Sequence, residues 1–164
     1  MRRYGQLIIG LLCLTALCGC EDTNSFHSSV PMYPVHAEIN TKTEFVTFTS
    51  ENTNTYITVT SDGYFLNGVF FKLLSVKDRY GYGGIVVFVS MKGYVAFDLG
   101  CPYCAGKGKR CPCQMDGIYA VCPECGEQYE LASGYAFPQK GISHEALREL
   151  KVIPSTDYLI ISQK

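Results

Sequence analysis

Apolar positions along this chain fall into one nearly continuous block close to the start and, from Val35 onward, into a succession of short runs. The runs, rich in Val, Ile, Thr, Tyr and Phe, cover 35–39, 44–49, 55–60, 69–74, 84–90, 94–99, 117–121, 127–131, 150–153 and 158–162. Branched and aromatic side chains pack well on a pleated surface, so each run predicts a β-strand. Turn formers separate many of them, among them Ser61-Asp62-Gly63, Asn67-Gly68, Tyr80-Gly81-Tyr82-Gly83-Gly84, Lys92-Gly93 and Ser133-Gly134. Val95, Phe97 and Leu99 alternate with Tyr94, Ala96 and Asp98, which predicts one buried face just ahead of a cysteine-rich segment. Only 143–150 suggests a helical turn or two. Short, regular spacing points to an all-β sandwich or small barrel, and no repeat with a period of roughly 20 to 50 residues suggests a solenoid.

The early block, 7–17, is interrupted by Gly10, Cys13 and Thr15 and follows Arg2 and Arg3, the layout of a secretory signal peptide. It is well short of the roughly 20 apolar residues that a spanning helix needs. It ends Leu17-Cys18-Gly19-Cys20, which resembles the bacterial lipobox. The resemblance implies cleavage after Gly19 and acylation of Cys20. Several alkyl chains, at about 0.8 kcal/mol per buried methylene, would then hold the protein at a membrane. Residues 21–34, with Asp22, Thr23, Asn24, Ser25, Ser28, Ser29, Pro31 and Pro34, read as a polar tether. Glu21 and Asp22 resemble the acidic signal that sends some Gram-negative lipoproteins to the cell surface. The expected layout is a signal peptide over 1–19, an anchor and tether over 20–34 and one β domain over 35–164. The expected location is the bacterial envelope, facing the periplasm or the exterior, with an envelope or redox protein as partner.

Charge changes this picture little. Loss of Arg2 and Arg3 with the leader takes the formal charge from −1 to −3, no footprint for nucleic acid or an anionic membrane surface. With 12 Tyr, 9 Phe and 16 Gly, the composition suits a β-rich globular protein and argues against disorder.

Candidate chemistry lies in the cysteines. Three of the nine belong to the leader, and the other six fall within 101–125. Cys101-Pro-Tyr-Cys104 and Cys122-Pro-Glu-Cys125-Gly126, with 17 residues between Cys104 and Cys122, have the spacing of a four-thiolate tetrahedral site. A two-residue spacer lets a tight turn aim both sulfurs at one cation, and the Pro after each first cysteine presets that turn. Between the pairs lie Lys107, Lys109 and Arg110, which can lower thiolate pKa values or simply form a solvated loop, and then Cys111-Pro112-Cys113. Cys111 and Cys113 could join each other only with strain, so pairing elsewhere in the loop or free thiols are expected.

Gly83-Gly84-Ile85-Val86-Val87-Phe88, Tyr94 to Asp98, Cys101-Pro102-Tyr103 and Cys122 to Gly134 together resemble the core of a Rieske [2Fe-2S] domain, and the closing runs resemble that family's last strands. The resemblance implies a three-sheet β-sandwich whose two loop tips supply C-x-H and C-x-x-H ligands. Here Tyr103 stands where the first histidine belongs and Cys125 where the second does, and His27, His36 and His144 lie in neither loop. The two-histidine iron of that family therefore cannot form, and its high-potential chemistry does not carry over. Three fillings remain for the loops. The first is one metal ion, Zn²⁺ ahead of Fe, on Cys101, Cys104, Cys122 and Cys125, whose two C-P-x-C turns resemble the knuckle pair of zinc ribbons or rubredoxins. The others are an all-cysteine [2Fe-2S] cluster and a metal-free set of disulfides, which six cysteines can form in 15 ways. No Ser/His/Asp set, paired carboxylates or phosphate-cradling loop is evident, so structural metal binding or electron transfer is expected ahead of catalysis.

Overall fold

The computed structural model describes residues 28–164, so the leader, Cys20 and His27 lie outside the described residues. The described chain is all-β apart from one short helix, α1 (Pro102–Gly106). Its strands are β1 (Val35–Asn40), β2 (Tyr56–Thr60), β3 (Gly63–Leu66), β4 (Val69–Lys72), β5 (Arg79–Tyr80), β6 (Ile85–Ser90) and β7 (Gly93–Asp98). After α1 come β8 (Gln114–Asp116), β9 (Tyr119–Val121), β10 (Gln128–Glu130), β11 (Phe137–Lys140), β12 (Glu149–Pro154) and β13 (Tyr158–Ser162). No helix among the described residues is long and apolar enough to cross a membrane.

Hydrogen bonding joins the strands into two sheets, one of nine strands in the order β4-β3-β2-β6-β7-β12-β13-β1-β5 and one of four in the order β11-β10-β9-β8. Within the long sheet β12 changes partners: Glu149 and Leu150 pair with β7, while Lys151 to Pro154 pair with β13. The halves on either side of this switch pack face to face, with Ala37, Ile39, Leu159 and Ile161 against Ile57, Val59, Ile85 and Val87. The opposite face of β6 and β7 supplies Val86, Phe88 and Phe97 to a second core, shared with Ala120, Tyr129, Leu131 and the cysteines. All six residues of β6 are buried, the mark of a strand in a middle layer. Three layers therefore exist, two of them joined by β12.

Several elements differ from the pattern-based expectation. Residues 44–49 form turns, not a strand: Asn40 Oδ1 accepts from the amides of Lys42 and Thr43, and Phe45 and Phe48 both bury their rings in the first core. Their i, i+3 spacing serves a turn that plugs the sandwich. Residues 143–148 are irregular and Glu149 begins β12, so the expected helical turn is absent. There Ser143 Oγ accepts from the Glu145 amide, Glu145 holds Ser29, and the Leu147 amide donates to Ala136, which leaves no local ladder to complete. The end of β7 is buried on both faces, because Ala96 enters one core and Phe97 the other. Short strands β3, β5, β8 and β11 appear where no run predicted them. Packing against the domain also begins ahead of Val35, with Val30 buried and Ser29 held by Glu145.

The segment that delivers Cys101 is braced from beneath. Buried Asp98 accepts from the amides of Tyr82 at 2.6 Å, Gly83 at 2.8 Å and Gly100 at 2.7 Å. Burial raises its carboxyl above the ordinary range, against the pull of these amides. The two backbones approach so closely that a Cβ on Gly83 would stand 2.0 Å from the Gly100 nitrogen, so only glycine fits there.

Candidate metal centre

Two turns face one another over the second core. In the first, Cys101 stands at the start of α1 and its carbonyl accepts from Ala105, while the Cys104 carbonyl accepts from both Lys107 and Lys109. Pro102 at the first helical position costs no hydrogen bond and fixes the turn that separates the two sulfurs. The second turn is the β9–β10 loop. Cys122 donates its amide to Glu127 and accepts from Gly126, whose φ of 75° explains the glycine after Cys125.

Together the turns bring the Sγ atoms of Cys101, Cys104, Cys122 and Cys125 within 4.8 Å of one another. Two of the cross-turn pairs are Cys101–Cys125 at 3.6 Å and Cys104–Cys122 at 3.7 Å. A metal with bonds of about 2.3 Å to four sulfurs in a tetrahedron sets its sulfurs ~3.8 Å apart. The four cysteines lie close enough to hold a metal ion, and the donor set is the one that soft and borderline cations prefer. All six cysteines of the segment are free thiols. His36 pairs with Glu38 and His144 is exposed, so neither joins the group.

Electrostatics describe a cage in need of positive charge. The Cys101 thiol is pushed down, first by a hydrogen bond with Cys113 and then by the Cys104 amide and Tyr129. Burial pushes Cys104 and Cys125 up, and neighbouring sulfurs add to the rise. Four thiolates can share so small a volume only around a cation.

No protein-family model matches this sequence, and no curated protein matches it. The site is therefore read from its own residues.

The sequence singled out the four central cysteines but not Tyr129. Its buried hydroxyl lies 3.7 Å from Cys101 Sγ, and burial raises its pKa so that it stays a donor. Inward alternation within β10 was legible, whereas the target of the hydroxyl was not. Tyr103 packs against Lys107, whose ammonium lies 3.9 Å over its ring. The other cations of the loop also turn chiefly toward protein groups: Lys109 pairs with Glu124 of the opposite turn at 3.1 Å, and Arg110 donates to the Tyr82 carbonyl. Exposed pairs of this kind contribute little stability. They do close the rim of the site from one turn to the other.

Proposed function

We propose that this is a lipid-anchored envelope protein of Rieske-like architecture whose four knuckle thiolates hold one structural Zn²⁺ and thereby fix a partner-binding surface. The spacing of the cross-turn sulfurs carries the metal reading, because Cys101–Cys125 and Cys104–Cys122 stand near the separation that a tetrahedral four-sulfur cage requires. Four thiolates also close the coordination sphere, which favours a structural ion over an open catalytic one. The three-layer β fold, with Cys101 and Cys122 at the heads of facing turns, supports the Rieske-like part. Metal content of the purified protein tests the reading. Colourless protein with one equivalent of zinc is expected, and three internal disulfides with no metal would remove it.

A second reading has its own observation. The Tyr129 hydroxyl on Cys101 Sγ and the half-buried Cys125 are features that set reduction potential at an iron site. Iron, alone or as [2Fe-2S], would make the protein an electron carrier and give it visible absorbance. Tyr129→Phe removes a donor that stabilises the more negative, reduced state, so the potential of iron-loaded protein should fall. In zinc-loaded protein the same change should cost about 1 kcal/mol of stability. An unchanged potential and an unchanged melting curve would show that the hydroxyl does not act on Cys101.

The anchor is tested separately. Cys20→Ser should move the protein from the detergent phase to the aqueous phase in a phase-partitioning assay, since no acyl chain can then be added. Unchanged partitioning would refute acylation at Cys20.

A further inference from the structure

Two thiols of the segment stand outside the four-sulfur group. An isolated antiparallel bridge joins Gly100 to Pro112, with the Cys101 amide donating to Cys111 at 3.0 Å and the Cys113 amide to Leu99 at 2.7 Å. Side chains alternate across such a ladder. Gly100 and Pro112 therefore share one face, while Leu99, Cys101, Cys111 and Cys113 share the other. That other face is the second core, where Cys113 is buried and Cys111 half-buried beside the knuckle cysteines. Cys111 stands directly across this ladder from Cys101, and Cys113 stands diagonally from it. Both outer thiols thus stand beside the first turn, and neither belongs to the tight group.

This placement has a specific coordination chemistry. Two tetrahedra that share one edge have six corners, two shared and two private to each. With Cys101 and Cys104 as the shared edge and Cys122 and Cys125 completing the first tetrahedron, Cys111 and Cys113 are the two further thiols on that core face that a second tetrahedron would need for its outer corners. Charge favours completion as well. One divalent ion in four thiolates carries −2, and two such ions in six thiolates also carry −2, so the second ion brings its own neutralisation. Packing alone accounts for Cys113, which is buried, but not for Cys111, which is partly open to solvent yet set on the core face across from Cys101.

We propose that the six cysteines form a two-metal thiolate site, in which Cys111 and Cys113 hold a second soft divalent cation and Cys101 and Cys104 bridge the two ions. The proposal rests on the four-thiolate reading above and extends it. Native mass spectrometry of the full chain titrated with Zn²⁺ tests it. Two ions per wild-type chain are expected, falling to one in the Cys111→Ser/Cys113→Ser double variant. One ion in the wild type overturns the second site and leaves the first standing, whereas no ion overturns both. Two ions retained by the double variant would place the second ion elsewhere and equally overturn the proposal. Because Cys113 is buried, Cys111→Ser alone serves as the milder variant. It should weaken the second binding step at least tenfold while leaving the first unchanged, and equal affinities for both steps in variant and wild type would count against bridging.

Discussion

Cys122→Ala is expected to empty the four-cysteine centre, lowering metal content, and to lower the melting temperature by about 10 °C or more, the two losses appearing together. Cys122 is fully buried and its sulfur faces Cys104 across the gap between the turns. Without it, three ligands and an apolar methyl remain, and the ion loses both a bond and its closed sphere. Structural zinc sites contribute apparent binding energies of about 10–16 kcal/mol in small peptides, which sets the ceiling for the loss. Here two cores persist without the ion, so the cost should be on the order of a few kcal/mol, each worth roughly 4 °C in a domain of this size. A chelator supplies the matched control: it should lower the melting temperature of the wild type by more than that of the variant. Wild-type metal content in the variant would remove Cys122 from the site. Acid should act in the same direction, because the raised thiols of Cys104 and Cys125 must lose protons to bind, so affinity should rise with pH.

The parts of this architecture that the sequence made legible are those where one physical rule acts alone. Runs such as 85–90 and 158–162 become strands because their branched side chains are buried wherever the layers place them. Asn67-Gly68 becomes the β3–β4 turn because both residues take positive φ, as a tight hairpin requires. The four central cysteines converge because paired C-P-x-C turns leave little other arrangement. Where the expectation failed, a tertiary contact outweighed the local pattern. Phe45 and Phe48 look like strand residues until the sandwich is seen to need a plug, and 143–150 looks helical until Glu145 is seen to hold Ser29. The hidden parts of the site, Tyr129 on Cys101 and the shared face of Cys111 and Cys113, depend on register. Register comes from pairing between distant segments, so composition and spacing carry no trace of it.

Asp98→Ala is expected to produce the second large effect, and to do so at a distance from the sulfurs. The side chain accepts from three buried amides, two on Oδ1 from Gly83 and Gly100 and one on Oδ2 from Tyr82. Each buried donor left without a partner costs roughly 1–3 kcal/mol, so the loss should reach about 4 kcal/mol even if water reaches one of them. Asp98→Asn separates this hydrogen-bonding role from charge. Its carbonyl can still serve Gly83 and Gly100, while its amide group would meet the Tyr82 N–H donor to donor, so about half the loss is expected. Denaturant midpoints of metal-free protein measure both. Because Gly100 directly precedes Cys101, a loosened brace should also let the first turn drift from the second, and Zn²⁺ affinity should fall in the order wild type, Asn, Ala. Equal affinities across the three, whatever their stabilities, would show that the sulfur cage is set by its own turns and not by the carboxylate beneath it.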